Sequence, residues 1–455
     1  MHFLLLNQYY PPDAAPTGVM LEALAEALAN RGHRVTIVCA PGGYAGTAGN
    51  SKAATAADLA SSAPTGVSDH SPSTGKVLVQ RIGATAFGRG SFLGKLTDYF
   101  SYYLCVAWKL MTMHPAPERV IALTTPPYLS VLARLGSRIR GADHAHWVMD
   151  LYPDVMVAHG MLPAGGLAHR LLSSVAAFGF GGKRCVGIIT LGPDMADRVK
   201  AHLPFSDQVV EWVPLWGTDP EASSETIPDP LGSTRPTTQA LRHRRGWADD
   251  EVVVMYSGNM GLGHRFEEVL EAAQLLTAPR DRSENPALDD RSQELRSKTR
   301  FRFVFYGGGK RRSEVEKFLR DHPECRVELH DYAPAEELAE HLRSADVHLA
   351  SLAPEWTGTM VPSKLQGIFA AGRPVIFIGD VQSSIGTWVE KSGGGWLVPP
   401  GDLPQLLAAL AESAIATNRI KRGTLAAAFA REHFTRARNV DRIACLLDRS
   451  STRHR

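Results

Sequence analysis

The sequence predicts two doubly wound α/β domains in tandem. Three observations carry this. Short apolar runs alternate with segments of helical periodicity along the whole chain, the pattern of parallel strands joined by crossover helices. At 455 residues the chain exceeds what a single compact core usually serves. A polar stretch over 219–249, containing Pro220, Pro228, Pro230 and Pro236, separates two halves that repeat the same logic and reads as a linker.

The first half, 1–218, opens with "HFLLLN", a buried strand, then a Pro-rich loop ending in Thr17-Gly18. "VMLEALAEALANRGH" has apolar residues at helical spacing with Gly32 at the C-cap position, and "RVTIVCA" is a second strand, completing a βαβ unit. Residues 42–76 are rich in Gly, Ala, Ser and Thr and read as a flexible insertion. Strands then follow at "KVLVQRI", "RVIAL", "HAHWVMD", "CVGIITLG" and "VVEWVPLW". The aromatic segment "SFLGKLTDYFSYYLCVAWKLM" reads as a helix, either a core helix or one suited to lying at a membrane interface. In the second half, 250–430, "EVVVMYSGNMGLG" and "RFRFVFYGGG" are strands running into Gly-rich loops, with a polar surface insertion over 279–299. "VELHDY", "DVHLASL" and "PVIFIG" continue the alternation, and a helical segment over 431–455 closes the chain, expected to return to the first domain.

Composition excludes several classes of function. The net charge of +2, from 49 Lys+Arg against 47 Asp+Glu, lacks the clustered basic excess of nucleic-acid binders. Five scattered cysteines without a C-x-x-C suggest neither a disulfide framework nor a zinc site. "MHFLLLNQYYPP" is too short an apolar run for a signal peptide, and no transmembrane run occurs. The expectation is a soluble, cytoplasmic protein, with peripheral contact at the inner face of a membrane as an open alternative.

Ligands of doubly wound domains sit at the carboxyl ends of the strands. The second half places three loops there: Ser257–Arg265, Gly307–Arg312 and Glu355–Lys364. Gly258, Gly261 and Gly263 allow close backbone approach to an anion, with His264 and Arg265 adding positive charge. Gly307, Gly308 and Gly309 precede Lys310, Arg311 and Arg312. In "VPSKLQG", Ser363 can cap a helix and Lys364 can reach a phosphate. Singly, each loop is an ordinary turn with solvated charges; jointly they point to a phosphorylated ligand. There is no Walker A motif, and "GNMGLG" lacks the acidic partner of the dinucleotide fingerprint. In the first half, Asp150 and Asp154 flank Tyr152 in "WVMDLYPD". Two readings stand side by side: the pair binds sugar hydroxyls or acts as a base, or Pro153 makes a turn and Asp154 caps a helix. His144 and His146 alternate along a strand, and without further ligands no metal is expected.

The ordered blocks "QYYPPDAAPTGVMLEALAEALANRGHRVTIVC", "TTPPYLSVLA", "WVMDLYPDV", "VVMYSGNMGLGHRFEEVLEAA", "FVFYGGG", "VPSKLQGIFAAGRPVIFIG" and "GGGWLVPPGD" span nearly the whole chain. This order resembles the retaining glycosyltransferases of family 4, in the branch that builds bacterial capsule, O-antigen and exopolysaccharide units. The resemblance implies the GT-B fold, two Rossmann-like domains facing a central cleft. It implies a nucleotide-sugar donor, usually UDP-linked, in the C-terminal domain and a saccharide or polyprenyl-linked saccharide acceptor in the N-terminal one. No cofactor or metal is implied. Lys364 would contact the donor diphosphate with Ser363 beside it, and Gly307 and Gly309 would belong to the donor site. Asn259 and His264 occupy the places of an Arg and a Lys in typical members, with Arg265 one step off and able to substitute. Gly18 would lie near the donor phosphate, Thr17 and Asp154 near the acceptor, and Asp150 where members often carry a catalytic His. Two glutamates of the family pattern fall on Thr359 and Gly367, neither acidic, and Glu355 is the acidic residue nearest the first. Two rival readings remain: a nucleotide-sugar epimerase of the same architecture, and a binding or scaffold protein that has lost the chemistry.

Overall fold

The computed structural model describes residues 1–13, 15–41, 69–70, 76–83, 85, 92–203, 207–217, 236–278 and 290–449. The expected insertion at 42–76 lies almost wholly outside these residues, as do 219–235 of the linker and 279–289 of the second insertion. The described remainders of those two stretches hold helices, Pro236–Arg244 and Asp290–Lys298. The chain divides into two compact units: Met1–Val213 with Val440–Arg455, and Pro214–Asn439.

The first unit is built on eight strands: β1 (His2–Leu6), β2 (Arg34–Cys39), β3 (Asp69–His70), β4 (Val77–Arg81), β5 (Arg119–Ala122), β6 (Asp143–Trp147), β7 (Cys185–Thr190) and β8 (Val210–Trp212). Their order is β3-β4-β2-β1-β5-β6-β7-β8. Every pairing is parallel except β3 with β4. β1 is buried along its whole length, and β2 beyond Arg34, as strands covered on both faces are, and the two polar side chains they bury, His2 and Thr36, hydrogen-bond each other at 2.9 Å. The helix Pro16–Asn30 returns the chain from β1 to β2, on one side, whereas β5 lies on the other. The loops after β1 and β5 therefore diverge and leave a switch point at the strands' carboxyl ends. Gln8 N–H donates to Thr125 O at 2.8 Å across it. From Val440 the last helix, Arg436–Asp448, belongs to this unit, where Arg31 donates to Asp448 at 2.8 Å.

The second unit has six parallel strands: β9 (Glu251–Ser257), β10 (Arg300–Tyr306), β11 (Val327–His330), β12 (Val347–Ser351), β13 (Val375–Ile378) and β14 (Gly395–Val398). Their order, β11-β10-β9-β12-β13-β14, puts the switch point between β9 and β12. A buried charge pins this pair from below. Asp346, just before β12, accepts from Val253 N–H at 2.8 Å and from the Arg242 guanidinium at 2.9 Å. Arg242 also donates to Ser344 O and Glu251 O, so the desolvated ions have hydrogen-bond partners.

Candidate active site

At the second unit's switch point β9 ends at Ser257, and Gly258 turns the chain with φ +125°. A Cβ at Gly258 would stand 2.8 Å from Lys364 Cε, so the absent side chain is the passage through which Lys364 enters. Lys364 is the first residue of the helix Lys364–Ala370. Its ammonium donates to Asn259 O at 3.1 Å and to His264 Nε2 at 3.0 Å, and lies 4.6 Å from the centroid of the Tyr256 ring. Tyr256 O–H donates to the same Asn259 carbonyl at 2.6 Å.

The proton positions follow from the partners. His264 Nδ1 is 2.7 Å from Ser351 O, and a carbonyl only accepts, so Nδ1 carries the hydrogen and Nε2 offers its lone pair to Lys364. Burial, with the Lys364 charge beside it, lowers the His264 pKa to about 3, which keeps the ring neutral. Burial also lowers the Lys364 pKa to about 7. Although the residue as a whole keeps some solvent contact, its ammonium is packed against a ring face, an imidazole and a carbonyl. Among the described residues no carboxylate is paired with it. The arrangement is a desolvated cation held in place by neutral acceptors, which is what a site for an incoming anion requires.

The loop after β10 locks onto this one. Met260 N–H donates to Gly308 O at 2.6 Å and Gly258 N–H to Tyr306 O at 2.9 Å. A Cβ at Gly309 would sit 2.6 Å from both Asn259 Oδ1 and Met260 O, so the close approach of the two loops demands glycine. Gly307 likewise faces the Gly258 carbonyl.

The other expected donor groups are placed differently. Arg265 gives its Nε and a terminal nitrogen to Glu268 Oε1, at 3.0 and 2.7 Å, so its guanidinium is engaged with a buried carboxylate rather than joined to the Lys364 group. Arg311 pairs with Glu267 and Glu314, and Arg312 with Glu316 and Asp331, leaving Lys310 as the exposed basic residue after the glycines. Ser363 stands at the N-cap position, exposed, and its hydroxyl makes no capping bond, against the expectation that it caps. Glu355 is exposed on a single 3₁₀ turn, Pro354–Trp356, whose Trp356 is buried beside Gly263. Thr359 turns inward, its hydroxyl donating to Trp356 O at 2.9 Å, and Gly367 packs against Leu342. Sequence reasoning missed Tyr256, Ser351 and a second, partly buried chain of hydrogen bonds, in which Arg245 donates to His341 Nδ1 at 3.0 Å and His341 Nε2 to Ser257 Oγ at 2.9 Å. Only the Arg265-x-x-Glu268 spacing carries a signal, for that ion pair.

In the first unit, Thr124 Oγ1 accepts from the backbone N–H of Asp150 at 3.1 Å and of Met149 at 3.2 Å, fixing the turn after β6. Asp150 lines a small cavity with Thr124, Tyr128, His146, Tyr152 and Phe180. Burial raises its pKa to about 6, within reach of general-base work. Asp154 is not part of this lining. It is the first residue of the short helix Asp154–Ala158, following Pro153 at the cap, and accepts from Arg198 at 3.2 Å and His202 at 2.7 Å, which together hold its carboxyl below the usual range. Gly18 is buried in the first turn of Pro16–Asn30, where a Cβ would come 3.1 Å from the Tyr10 backbone. Thr17 Oγ1 accepts from Asn7 Nδ2 at 3.3 Å. Cys185 joins His144 and His146, their ligand atoms within 4.8 Å of one another, but both His144 nitrogens already have partners in Ser137 and the Gly181 carbonyl.

Residues 251–416 match the family described as "Glycosyl transferases group 1". The chain is 25% identical over 305 residues to the probable glycosyltransferase WbjE of Pseudomonas aeruginosa, covering 66% of this chain and 67% of that protein. It is 24% identical over 425 residues to the putative colanic acid biosynthesis glycosyl transferase WcaI of Escherichia coli K12, covering 91% and 92%. Among solved structures, WaaG, a glycosyltransferase involved in lipopolysaccharide biosynthesis, superposes with a TM-score of 0.61 at 17% identity over 99% of this chain and 100% of that one. Anabaena Alr3699/HepE in complex with UDP gives a TM-score of 0.63 at 16% identity over 98% and 99%. The chain therefore has the GT-B fold of two Rossmann-like domains, and residues 251–416 of its second unit are similar to the group 1 glycosyl transferases.

Proposed function

We propose that the protein is a glycosyltransferase that moves a sugar from a UDP-linked donor to a saccharide or lipid-linked saccharide acceptor, with retention, in bacterial cell-surface polysaccharide biosynthesis. The observation that carries this reading is the Lys364 ammonium, desolvated and unpaired with any described carboxylate, at the switch point of the second unit. The family match over the same residues, the UDP in the HepE complex and the polysaccharide and lipopolysaccharide context of WcaI and WaaG support it.

In this account Lys364 binds the donor diphosphate and stabilises the negative charge that grows on it as the sugar C1–O bond breaks. It supplies charge that a divalent ion would otherwise bring, so transfer is metal-independent. His264 and the Asn259 carbonyl hold the ammonium in place, and Tyr256 supports it from below. The acceptor oxygen bonds to C1 on the face the leaving group departs from, and its proton passes to a leaving phosphate oxygen. Asp150, in the first unit, binds the acceptor by accepting a hydrogen bond from a hydroxyl other than the reacting one. Glu355 lies on the loop between β12 and Lys364, from which it would reach the donor sugar if that turn moves.

The test is release of UDP, ADP or GDP from a panel of nucleotide sugars, with and without a lipid extract as acceptor source, in the presence of a chelator. Acceptor-dependent UDP release is expected. The non-acidic Thr359 and Gly367 favour a second reading, a binding protein without turnover; UDP binding with no release from any donor would establish that instead.

A further inference from the structure

Arg245 is a half-buried cation that pairs with no carboxylate among the described residues. Its guanidinium lies 5.0 Å from the ring centroids of both Trp247 and Tyr306. It donates to Ser344 Oγ at 2.9 Å and to His341 Nδ1 at 3.0 Å. Two aromatic rings and two neutral acceptors hold it, so no anion of the fold neutralises its charge at that contact.

The direction of the chain that starts here follows from what each group can do. A guanidinium only donates, so His341 Nδ1 accepts and Nε2 carries the ring hydrogen. Burial, with the Arg245 charge beside it, lowers the His341 pKa to about 3, which keeps the ring neutral. His341 Nε2–H therefore donates to Ser257 Oγ at 2.9 Å. With its oxygen accepting from His341, the Ser257 hydroxyl still has its own hydrogen to give. That hydrogen meets no acceptor among the described residues. His341, in the helix Leu338–Arg343, is fully buried and Ser257 is half-buried, so the chain runs from the interior outward.

It ends where an anion is expected. Ser257 is the last residue of β9 and precedes Gly258, whose missing side chain admits Lys364. Two imidazoles thus serve one turn with opposite polarity. His264 offers a lone pair to the Lys364 ammonium, and His341 offers an N–H to the Ser257 hydroxyl. The first arrangement holds a cation ready for an anion, and the second holds an O–H ready to donate to one.

We propose that the Ser257 hydroxyl is a second ligand of the donor diphosphate, donating to a phosphate oxygen, and that His341 and Arg245 are positioning residues that aim its hydrogen. This hydrogen bond strengthens as charge grows on the departing diphosphate. That the anion is a nucleotide diphosphate rests on the transferase reading; the direction of the chain does not.

The test is calorimetric affinity for UDP of the full chain and of three variants, with thermal unfolding of each. Ser257→Ala removes the donor and should weaken UDP binding by about tenfold or more, the effect of losing a hydrogen bond to a charged group. His341→Leu keeps the hydroxyl but releases its direction, and should weaken binding by about fivefold or more. A Gln amide can accept from Arg245 and donate to Ser257, so His341→Gln should bind within about twofold of the parent. The inference is overturned if Ser257→Ala binds UDP as the parent does, or if His341→Leu and His341→Gln bind alike. It is also overturned if affinity only follows melting temperature across the three variants, since the chain then serves the fold alone. Ser257→Ala decides the ligand role even where His341→Leu does not fold. Absence of UDP binding by the parent overturns the transferase reading and this inference together, whereas parent binding that Ser257→Ala leaves unchanged overturns this inference alone.

Discussion

The desolvated ammonium of Lys364 makes nucleotide affinity depend on pH in a calculable way. In the free protein its pKa is lowered to about 7, against about 10.4 for an exposed lysine. A diphosphate favours the charged form, so binding raises that pKa. Above pH 7 the free protein must take up a proton to bind, and affinity should fall by up to about tenfold per pH unit between pH 7 and the pKa of the complex. Isothermal calorimetry with UDP across pH 6.5 to 9, a range chosen to bracket about 7, in buffers of different ionisation enthalpy reads both the slope and the proton uptake. Lys364→Met should lose the slope together with about 10³-fold in affinity, the worth of one charge pair near 4 Å at an effective dielectric constant of about 20. A flat affinity from pH 7 upward, or the same slope in Lys364→Met, would refute the reasoning. The same group affects stability with the opposite sign to an ordinary ion pair. The penalty of burying the ammonium is fully present below about pH 7 and is relieved as pH rises toward the unfolded pKa, so Lys364→Met should not destabilise the fold at neutral pH.

Other substitutions separate the roles assigned above. Gly258→Ala should abolish UDP binding and cost about 1–3 kcal/mol of stability, read by calorimetry and thermal unfolding, because the new methyl meets Lys364 Cε in a backbone region that disfavours side chains. Asp150→Asn should leave UDP affinity unchanged and reduce transfer to acceptor by about 10²-fold or more in an assay of labelled product. Because burial raises the Asp150 pKa to about 6, the native carboxyl loses stability as pH rises through about 4 to 6, and Asp150→Asn should raise the melting temperature at pH 7 relative to the parent. Arg242→Ala should destabilise by about 3 kcal/mol in denaturant unfolding, since it removes the nearest cation of the buried Asp346 carboxylate and leaves Arg419 at 3.7 Å as its ion-pair partner.

The strand–helix alternation made the fold legible from sequence, because the buried strands of a parallel sheet are mostly apolar and the Gly-rich loops at their ends turn. The Pro-Ser-Lys helix start was legible for the same reason: a lone Lys beside an apolar helix has few structural duties. Pairings that close across strands were not. Ser351 and Asn259 meet Lys364's surroundings from β12 and from the loop after β9, and nothing local in either stretch marks Ser351 as the partner that fixes the His264 tautomer. Arg265 is expected to substitute for a donor-binding basic residue; Glu268, three residues on, takes its guanidinium. Asp154 looked equivalent to Asp150 in sequence. The difference lies in Arg198 and His202, which approach from the helix Pro193–His202, more than forty residues away.

The role of Lys364 is decided by a structure of the protein crystallised with UDP. A phosphate oxygen is expected within about 3 Å of Lys364 Nζ, with His264 Nδ1 still bonded to Ser351. Ordered UDP bound elsewhere, or in the same unit with Lys364 still bonded only to Asn259 and His264, would contradict it.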